Sequence, residues 1–323
     1  MNSKPILIVT GEPNSVFSEL LYKSFKIYKG TKPLVLIGSF KLIDSQLKNL
    51  GLRLNLNLIL LKSNNLGNIK KDKVNIIDIN YKFKKPFEKS SSESKKYISK
   101  CFDQAFKIIK HNKIAGLING PVSKENFLKG KYEGITEYIC SKFGVKENYA
   151  MLIYNKLLSV CPITTHLPIS KVSKKISTKA IVSKSILITN FYKKFLKKKP
   201  KIAITGLNPH CENFFYKSEE KKNIEPAIKI LKKKKTHING PFPADTIFLK
   251  QNCKQYDVII GMYHDQVLTP LKALQGFNAI NVTLGLPFLR ISPDHGPNQK
   301  MTGKNKSNPQ SLIEAIKFLN KFK

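Results

Sequence analysis

Three of the six histidines in this 323-residue chain share one context. His166, His210 and His264 each follow an apolar run that reads as a strand, inside a turn containing Pro, Asn or Asp. Parallel strands end on one edge of a sheet, so three such loops can converge. Neutral imidazoles from three loops make a site for Zn²⁺ or a similar divalent ion, with positions left open for a substrate. Asp265, next to His264, is a natural hydrogen-bond partner for that ring. The spacing is less diagnostic than His-Glu-x-x-His. Three loop histidines with separate duties are the alternative. His111 and His237 lie in lysine-rich stretches and read as surface.

The densest chemistry lies between Gly261 and Gly296, where two histidines, two aspartates, a lysine and an arginine sit among turn glycines and prolines. The pattern predicts a strand over Val258 to Gly261, a polar loop over Tyr263 to Gln266 and a short helix over Leu268 to Leu274. A strand over Ala279 to Leu284 and a turn at Gly285 and Pro287 follow. Arg290 carries its own argument, because only two of the 57 basic residues are arginine. Its planar fork grips a carboxylate or phosphate in a way lysine does not copy. An ion pair inside the fold is the alternative. Lys272 and Asn281 flank the same stretch and can help hold an anion.

The elements that must position these groups read as repeated strand–turn–helix units. Ile6 to Val9 is a first strand, and a helix from about Ser15 carries Phe17, Leu20, Leu21 and Phe25 at helical spacing. The intervening turn has one glycine, so it is a weak nucleotide signature. Pro33 to Gly38 is a second buried strand, and Leu52 to Leu58 alternates as a strand does. A helix over Ser94 to Lys110 precedes a strand at Ile114 to Ile118. That strand ends in Asn119 to Lys124, where Ser123 and Lys124 are candidate substrate contacts or ordinary turn and capping residues. Gly134 to Ser141 starts a helix with Thr136 near its N-terminus. Further strands are expected at Met151 to Tyr154, Leu157 to Cys161 and Ile202 to Thr205. Asp245 falls near an expected helix start in GPFPADTIF, where capping is the bland alternative. Ser307 to Phe322 closes the chain as an amphipathic helix.

Composition bounds the function. The formal net charge is +36, which invites a nucleic-acid reading. Lysine rather than arginine carries it, spread along the whole chain with abundant Asn and Ile. That pattern reads as a compositional bias, so no specific nucleic-acid partner is expected. No apolar run reaches the roughly 18 residues of a membrane helix, and PILIVTG near the start reads as a strand and not a secretion signal. Five scattered cysteines without Cys-x-x-Cys suggest neither a disulfide framework nor a cysteine zinc site. A cytoplasmic, reduced protein without membrane partners is the expectation.

Several motifs together resemble the 4-hydroxythreonine-4-phosphate dehydrogenases, the PdxA family of vitamin B6 biosynthesis. They are MYHDQ (262–266), LK (271–272), NVTLGLPFLR (281–290), SPDHG (292–296), GLNPHCEN (206–213), GPFPADTIF (240–248), THLP (165–168) and NGPVSK (119–124). The tail DHGPNQKMTGKNKSNP also resembles the cofactor loop of the isocitrate and isopropylmalate dehydrogenase fold. The resemblance implies a two-domain α/β fold of that type, with an active-site cleft between the domains. Residues 1–125 plus 275–323 would form the larger domain with the cofactor loop. Residues 126–274 would form the second, carrying the metal ligands and dimer contacts.

By the same resemblance His166, His210 and His264 bind a divalent metal (Zn²⁺, Mg²⁺ or Co²⁺). Thr136, Lys272, Asn281 and Arg290 bind a small phosphorylated amino-acid substrate, and His295, Gly296 and Asn308 lie against NAD. Lys272, Asp265 and Asp245 are the expected catalytic groups, in a homodimer whose active site is completed at the interface. The implied chemistry is oxidation of 4-phosphooxy-L-threonine with hydride passed to NAD, then loss of CO₂. Two departures stand out. Ile135 replaces the family's substrate-binding histidine in Gly134-Ile135-Thr136-Glu137. The family's glycine-rich opening is here Gly11-Glu12-Pro13-Asn14-Ser15-Val16-Phe17-Ser18-Glu19, with two glycines fewer. The alternatives are a sibling enzyme for another phosphorylated hydroxy acid of threonate or erythronate type, and a catalytically weakened polyanion-binding relative.

Overall fold

The computed structural model describes residues 4–61, 66–128, 130–211, 218–276, 278–293 and 296–322. The chain forms two compact units, Met1–Ile135 with Phe288–Lys323, and Thr136–Pro287.

The first unit opens with β1 (Ile6–Val9), α1 (Phe17–Ile27), β2 (Leu34–Gly38), α2 (Phe40–Asn49), β3 (Leu56–Leu58), β4 (Val74–Asp78), α3 (Ser92–His111) and β5 (Gly116–Asn119). Every residue of β1 is fully buried, as expected of a parallel strand covered on both faces. Helix α3 starts at a reciprocal cap in which the Ser91 and Ser94 hydroxyls each accept the other's backbone N–H. At the C-terminal ends of β1 and β5 the backbones interlock. Gly120 N donates to Val9 O at 2.7 Å and Glu12 N to Pro121 O at 2.8 Å. Gly11, at φ +79°, is required there, because a Cβ would lie 2.3 Å from Pro121 O. Of the expected strand over Leu52 to Leu58, only Leu56–Leu58 pairs with a neighbour.

The second unit runs α4 (Ile135–Lys142), β6 (Ala150–Tyr154), β7 (Ser159–Thr164), α5 (Val172–Lys175), α6 (Thr178–Phe191), β8 (Ile202–Thr205), α7 (Glu225–Lys233), β9 (Ile238–Phe242), α8 (Lys250–Cys253), β10 (Val258–Tyr263), α9 (His264–Gln275) and β11 (Ile280–Leu284). Its strands lie in the order β11-β6-β7-β10-β8-β9. Strands β7, β10, β8 and β9 are parallel, whereas β6 is antiparallel to both β7 and β11. Val267, Leu268 and Leu271 of α9 pack into the cluster formed by Val160, Ala203 and Ile259.

Two expectations are corrected here. The polar loop expected at Tyr263 to Gln266 does not exist, since β10 runs to Tyr263 and α9 begins at His264. Asp265 sits in the first turn of α9, where a carboxylate favours the helix N-terminus. Asp245 does not start a helix. It is exposed in a turn between β9 and α8, five residues before α8 begins. Strand β9, INGPF, contains Gly and Pro and was not expected from sequence. It is tolerated because it lies at the end of the strand order and its ladder with β8 is irregular there, Gly240 and Pro241 standing opposite the single residue Ile204 between the Ala203–Asn239 and Thr205–Phe242 pairs.

The chain re-enters the first unit with β12 (Arg290–Pro293) and α10 (Gln310–Asn320). The strands of that unit lie in the order β3-β4-β2-β1-β5-β12, all parallel.

Candidate active site

Strands β7, β10 and β8 are adjacent and parallel, so their C-terminal ends share one edge. The register sets Tyr263 beside Thr164, and the Thr164 hydroxyl donates to Met262 O at 2.8 Å. His166 lies two residues past β7 and His264 one past β10. Their rings are brought together, with centroids 5.9 Å apart and planes tilted by 38°. The Asp265 carboxylate lies 2.6 Å from His264 Nδ1. That contact places the proton on Nδ1 and leaves Nε2 as the electron-pair donor.

His210 follows β8 and is exposed, at φ +56°. Its loop is held from below by Glu220, which is fully buried. Leu207 N and Asn208 N donate to Glu220 Oε1 at 2.8 and 2.9 Å, and Asn208 Nδ2 donates to Oε2 at 2.8 Å. Burial works to raise the Glu220 pKa, but these hydrogen bonds outweigh it and the carboxyl is held below its ordinary value. Gln266, in the first turn of α9, ties the end of β10 to the end of β8 and the loop that follows it. Its Oε1 accepts from Thr205 Oγ1 at 2.9 Å and Met262 N at 2.6 Å, and its Nε2 donates to Gly206 O at 2.8 Å.

The donor chemistry fits a divalent ion at the His166 and His264 pair. Two imidazoles at this separation can reach one ion through metal–nitrogen bonds of about 2.0–2.1 Å. The third histidine is on the adjacent loop. Among the described residues no group of three or more His, Cys, Asp or Glu is close enough to hold an ion. The segment after Cys211, residues 212–217, lies outside the described residues.

The proposed substrate residues take different places. Thr136 is buried in the first turn of α4. Its neighbour Glu137 accepts from the Thr165 hydroxyl at 3.5 Å, joining the start of α4 to the His166 loop. Asn281 lies within β11, and its Oδ1 is buried without a hydrogen-bond partner among the described residues. An acceptor left so is costly unless a ligand or water completes it. Lys272 is exposed in the last turn of α9. It lies about 12 Å along the axis from His264 at about 1.5 Å per residue.

In the other unit Arg290 is fully buried and its Nε donates to Asn119 Oδ1 at 2.8 Å. Ser123 accepts from Asn126 N at 3.3 Å and so caps the following turn. Lys124's side chain and His295 fall outside the described residues. Gly296 is exposed. Asn308 is exposed too, and its Oδ1 accepts from Gln310 N at 2.9 Å, opening α10. Glu12, which the sequence reading passed over, is buried beyond β1. Its Oε1 accepts from Ser90 Oγ at 2.8 Å, while burial pushes its carboxyl above the ordinary value. All five thiols are buried, and burial raises Cys101 to about 12 and Cys161 to about 11. Such thiols are inert.

Strand–helix units with their polar chemistry at the strand C-termini define an α/β enzyme. The fold is of the isocitrate dehydrogenase type. The isocitrate dehydrogenase of Methylococcus capsulatus superposes with a TM-score of 0.52 at 11% identity, covering 98% of this chain and 85% of that one.

The particular family follows from closer likenesses. Residues 29–319 match the family described as pyridoxal phosphate biosynthetic protein PdxA. The chain is 38% identical over 318 residues to the 4-hydroxythreonine-4-phosphate dehydrogenase of Sulfurihydrogenibium sp. (strain YO3AOP1), covering 97% of this chain and 96% of the relative. It is 29% identical over 324 residues to the D-threonate 4-phosphate dehydrogenase of Salmonella typhimurium, covering 98% of each. A crystal structure of the 4-hydroxythreonine-4-phosphate dehydrogenase from Klebsiella pneumoniae matches with a TM-score of 0.82 at 27% identity, covering 98% of each chain. The chain belongs to the PdxA family, a family of enzymes.

Proposed function

We propose that this chain catalyses the NAD-dependent oxidation and decarboxylation of 4-phosphooxy-L-threonine to 3-amino-2-oxopropyl phosphate, as a homodimer, with a divalent cation. The observation that carries this reading is the meeting of His166 and His264, 5.9 Å apart, at the ends of neighbouring parallel strands in a PdxA chain. His166, His210 and His264 would hold the cation. When bound, the cation supplies Lewis acidity at the substrate oxygens and NAD supplies the hydride acceptor.

The chain's own residues supply orientation. Asp265 fixes the His264 tautomer through its 2.6 Å contact. Asn281 Oδ1 offers an acceptor for a substrate N–H or O–H. Thr136, beside the His166 loop, offers a hydroxyl, and Lys272 and Arg290 are assigned to substrate anions. Gly296 and Asn308 are assigned to NAD. For Lys272 the roughly 12 Å from His264 along α9 favours binding of a remote anionic group over proton transfer at the reacting carbon.

The test is NADH formation, followed by absorbance, from 4-phosphooxy-L-threonine and NAD with added divalent cation, with and without a chelator. Metal-dependent turnover is expected. A folded, metal-loaded protein that makes no NADH from this substrate would sink the reading.

The second reading is a sibling dehydrogenase for a phosphorylated threonate or erythronate. Ile135, which can neither hydrogen-bond nor carry charge, and the likeness to the Salmonella enzyme favour it. A panel of both substrate types separates the two. Improved turnover of 4-phosphooxy-L-threonine in Ile135→His would count for the first.

A further inference from the structure

The stretch between β12 and α10 is fastened to the β1–α1 region near both of its ends. We infer that helix α1, through Glu19 and Lys23, is the positioning device for the segment over residues 296–308. This rests on the reading that Gly296 and Asn308 contact the cofactor.

Glu19 is in the first turn of α1, where a glutamate commonly faces water and favours the helix N-terminus. Here it is 2% exposed, and both carboxylate oxygens are used. Ser307 N donates to Oε1 at 2.6 Å and Ser307 Oγ donates to Oε2 at 3.2 Å. One helical turn on, Lys23 Nζ donates to Glu19 Oε1 at 2.7 Å, Asn305 O at 3.1 Å and Ser307 O at 3.0 Å. An ammonium has three N–H donors, and all three find acceptors. At the other end, Val16 N donates to Pro297 O at 3.3 Å.

Between these anchors the segment is open to solvent, with Asn298 to Lys300 and Gly303 to Lys306 exposed. Each anchor adjoins a proposed cofactor position. Pro297 follows Gly296, and Ser307 precedes Asn308.

An exposed i,i+4 Glu–Lys pair contributes little to stability. This pair differs because its carboxylate is buried and receives a backbone N–H of the distant segment. Removing the carboxylate would leave Ser307 N buried without its acceptor, which is the costly case. A segment pinned at both ends loses less conformational freedom when a ligand binds. The arrangement therefore predicts an effect on cofactor affinity and not on the chemical step.

The test uses the full chain with Glu19→Ala and Lys23→Met, and Asn308→Ala as reference. Amide hydrogen exchange over residues 303–308 and the NAD dissociation constant by calorimetry are the readouts, beside kcat at saturating NAD. Glu19→Ala is expected to speed exchange in that segment and raise the NAD Kd about tenfold, with kcat unchanged. Lys23 is 26% exposed, so Lys23→Met keeps the fold and gives the same signature more weakly. It decides the matter if Glu19→Ala fails to fold. Unchanged exchange, or faster exchange with an unchanged NAD Kd, overturns the inference. If Asn308→Ala weakens NAD binding while the α1 variants do not, the positioning role falls and the cofactor reading stands. If Asn308→Ala also leaves NAD binding unchanged, both fall.

Discussion

Glu12 and Glu220 are both buried glutamates beside the C-terminal end of a parallel strand, one in each unit, yet their carboxyls are pushed in opposite directions. Glu220 gathers the N–H groups of Leu207 and Asn208 and the Asn208 amide. These favour the charged form enough to outweigh burial. In Glu12 burial dominates: it outweighs the hydrogen bond that Oε1 accepts from Ser90 and the lowering by the backbone of Ser123 and Asn14, and Oε2 is buried with no hydrogen-bond partner among the described residues. The difference teaches that burial alone does not set a carboxyl's role. A carboxylate ringed by backbone N–H groups is a stable strut, and here it props the loop of His210. One left half-satisfied is a cost the fold carries.

The sharpest way to break this comparison is to remove what the strut supports. His210→Ala is expected to abolish bound metal and lower turnover by more than about 100-fold, beyond the about 10–100-fold typical of a ligand's hydrogen-bond partner. Its thermal stability should stay near wild type. Full metal content in the variant would remove His210 from the site.

Glu220→Gln should come next, destabilising by about 1.5–3 kcal/mol through weakened charge-assisted bonds. Chemical denaturation measures it. The pH dependence has a definite sign. The folded pKa of Glu220 is depressed, so its contribution is full above the ordinary value of 4.5 and is lost as pH falls through the lower folded value. An unchanged acid limb in the variant would contradict the strut.

Arg290→Lys is expected to raise KM for the substrate about tenfold, because the planar fork is lost while the charge is kept. A pure loss of stability with unchanged KM would make Arg290 a structural cation bonded to Asn119.

The smallest effect belongs to Glu12→Gln. The folded pKa of Glu12 is raised, so its charged form destabilises at neutral pH, and the penalty fades as pH falls through that raised value towards 4.5. The variant should be slightly more stable than wild type near neutral pH and match it in acid, as read by chemical denaturation at both pH values. A loss of stability at neutral pH would mean that the hydrogen bonds from Ser90 and from the backbone of Ser123 and Asn14 outweigh the cost of burial.

Much of the frame was legible in the chain. Ile202 to Thr205 was read as a strand and is one, and α3 covers the helix expected over Ser94 to Lys110; Ile98, Cys101, Phe102, Ala105 and Phe106 are buried as its spacing implies, but Ile109, counted with them, is only half-buried and Ile108 is buried instead. Apolar runs and helical spacing are local signals, so local reading finds them. Strand β9 escaped because Gly240 and Pro241 look like a turn. The helix start at His264 escaped because polar residues after a strand look like a loop. Gln266 was visible inside MYHDQ but carried no role until its three bonds to Thr205, Met262 and Gly206 were seen. Nothing local marked Glu220, one of two adjacent glutamates in a lysine-rich stretch, as the buried one.

The sequence by itself determined the chemical repertoire of this protein. It holds three histidines shortly after strands, one aspartate beside His264, a rare arginine, and motifs of one enzyme family. It also determined most of the strands and helices, since those depend on neighbours a few residues apart, but not β9 or the start of α9 at His264. Tertiary structure alone decided that β7, β10 and β8 lie side by side, and that the register sets Tyr263 against Thr164. It decided too which carboxylates are buried and how many N–H groups meet them. The physical reason is one of range. Strand pairing and desolvation depend on residues tens to hundreds of positions apart, such as Glu19 and Ser307. No local period records them.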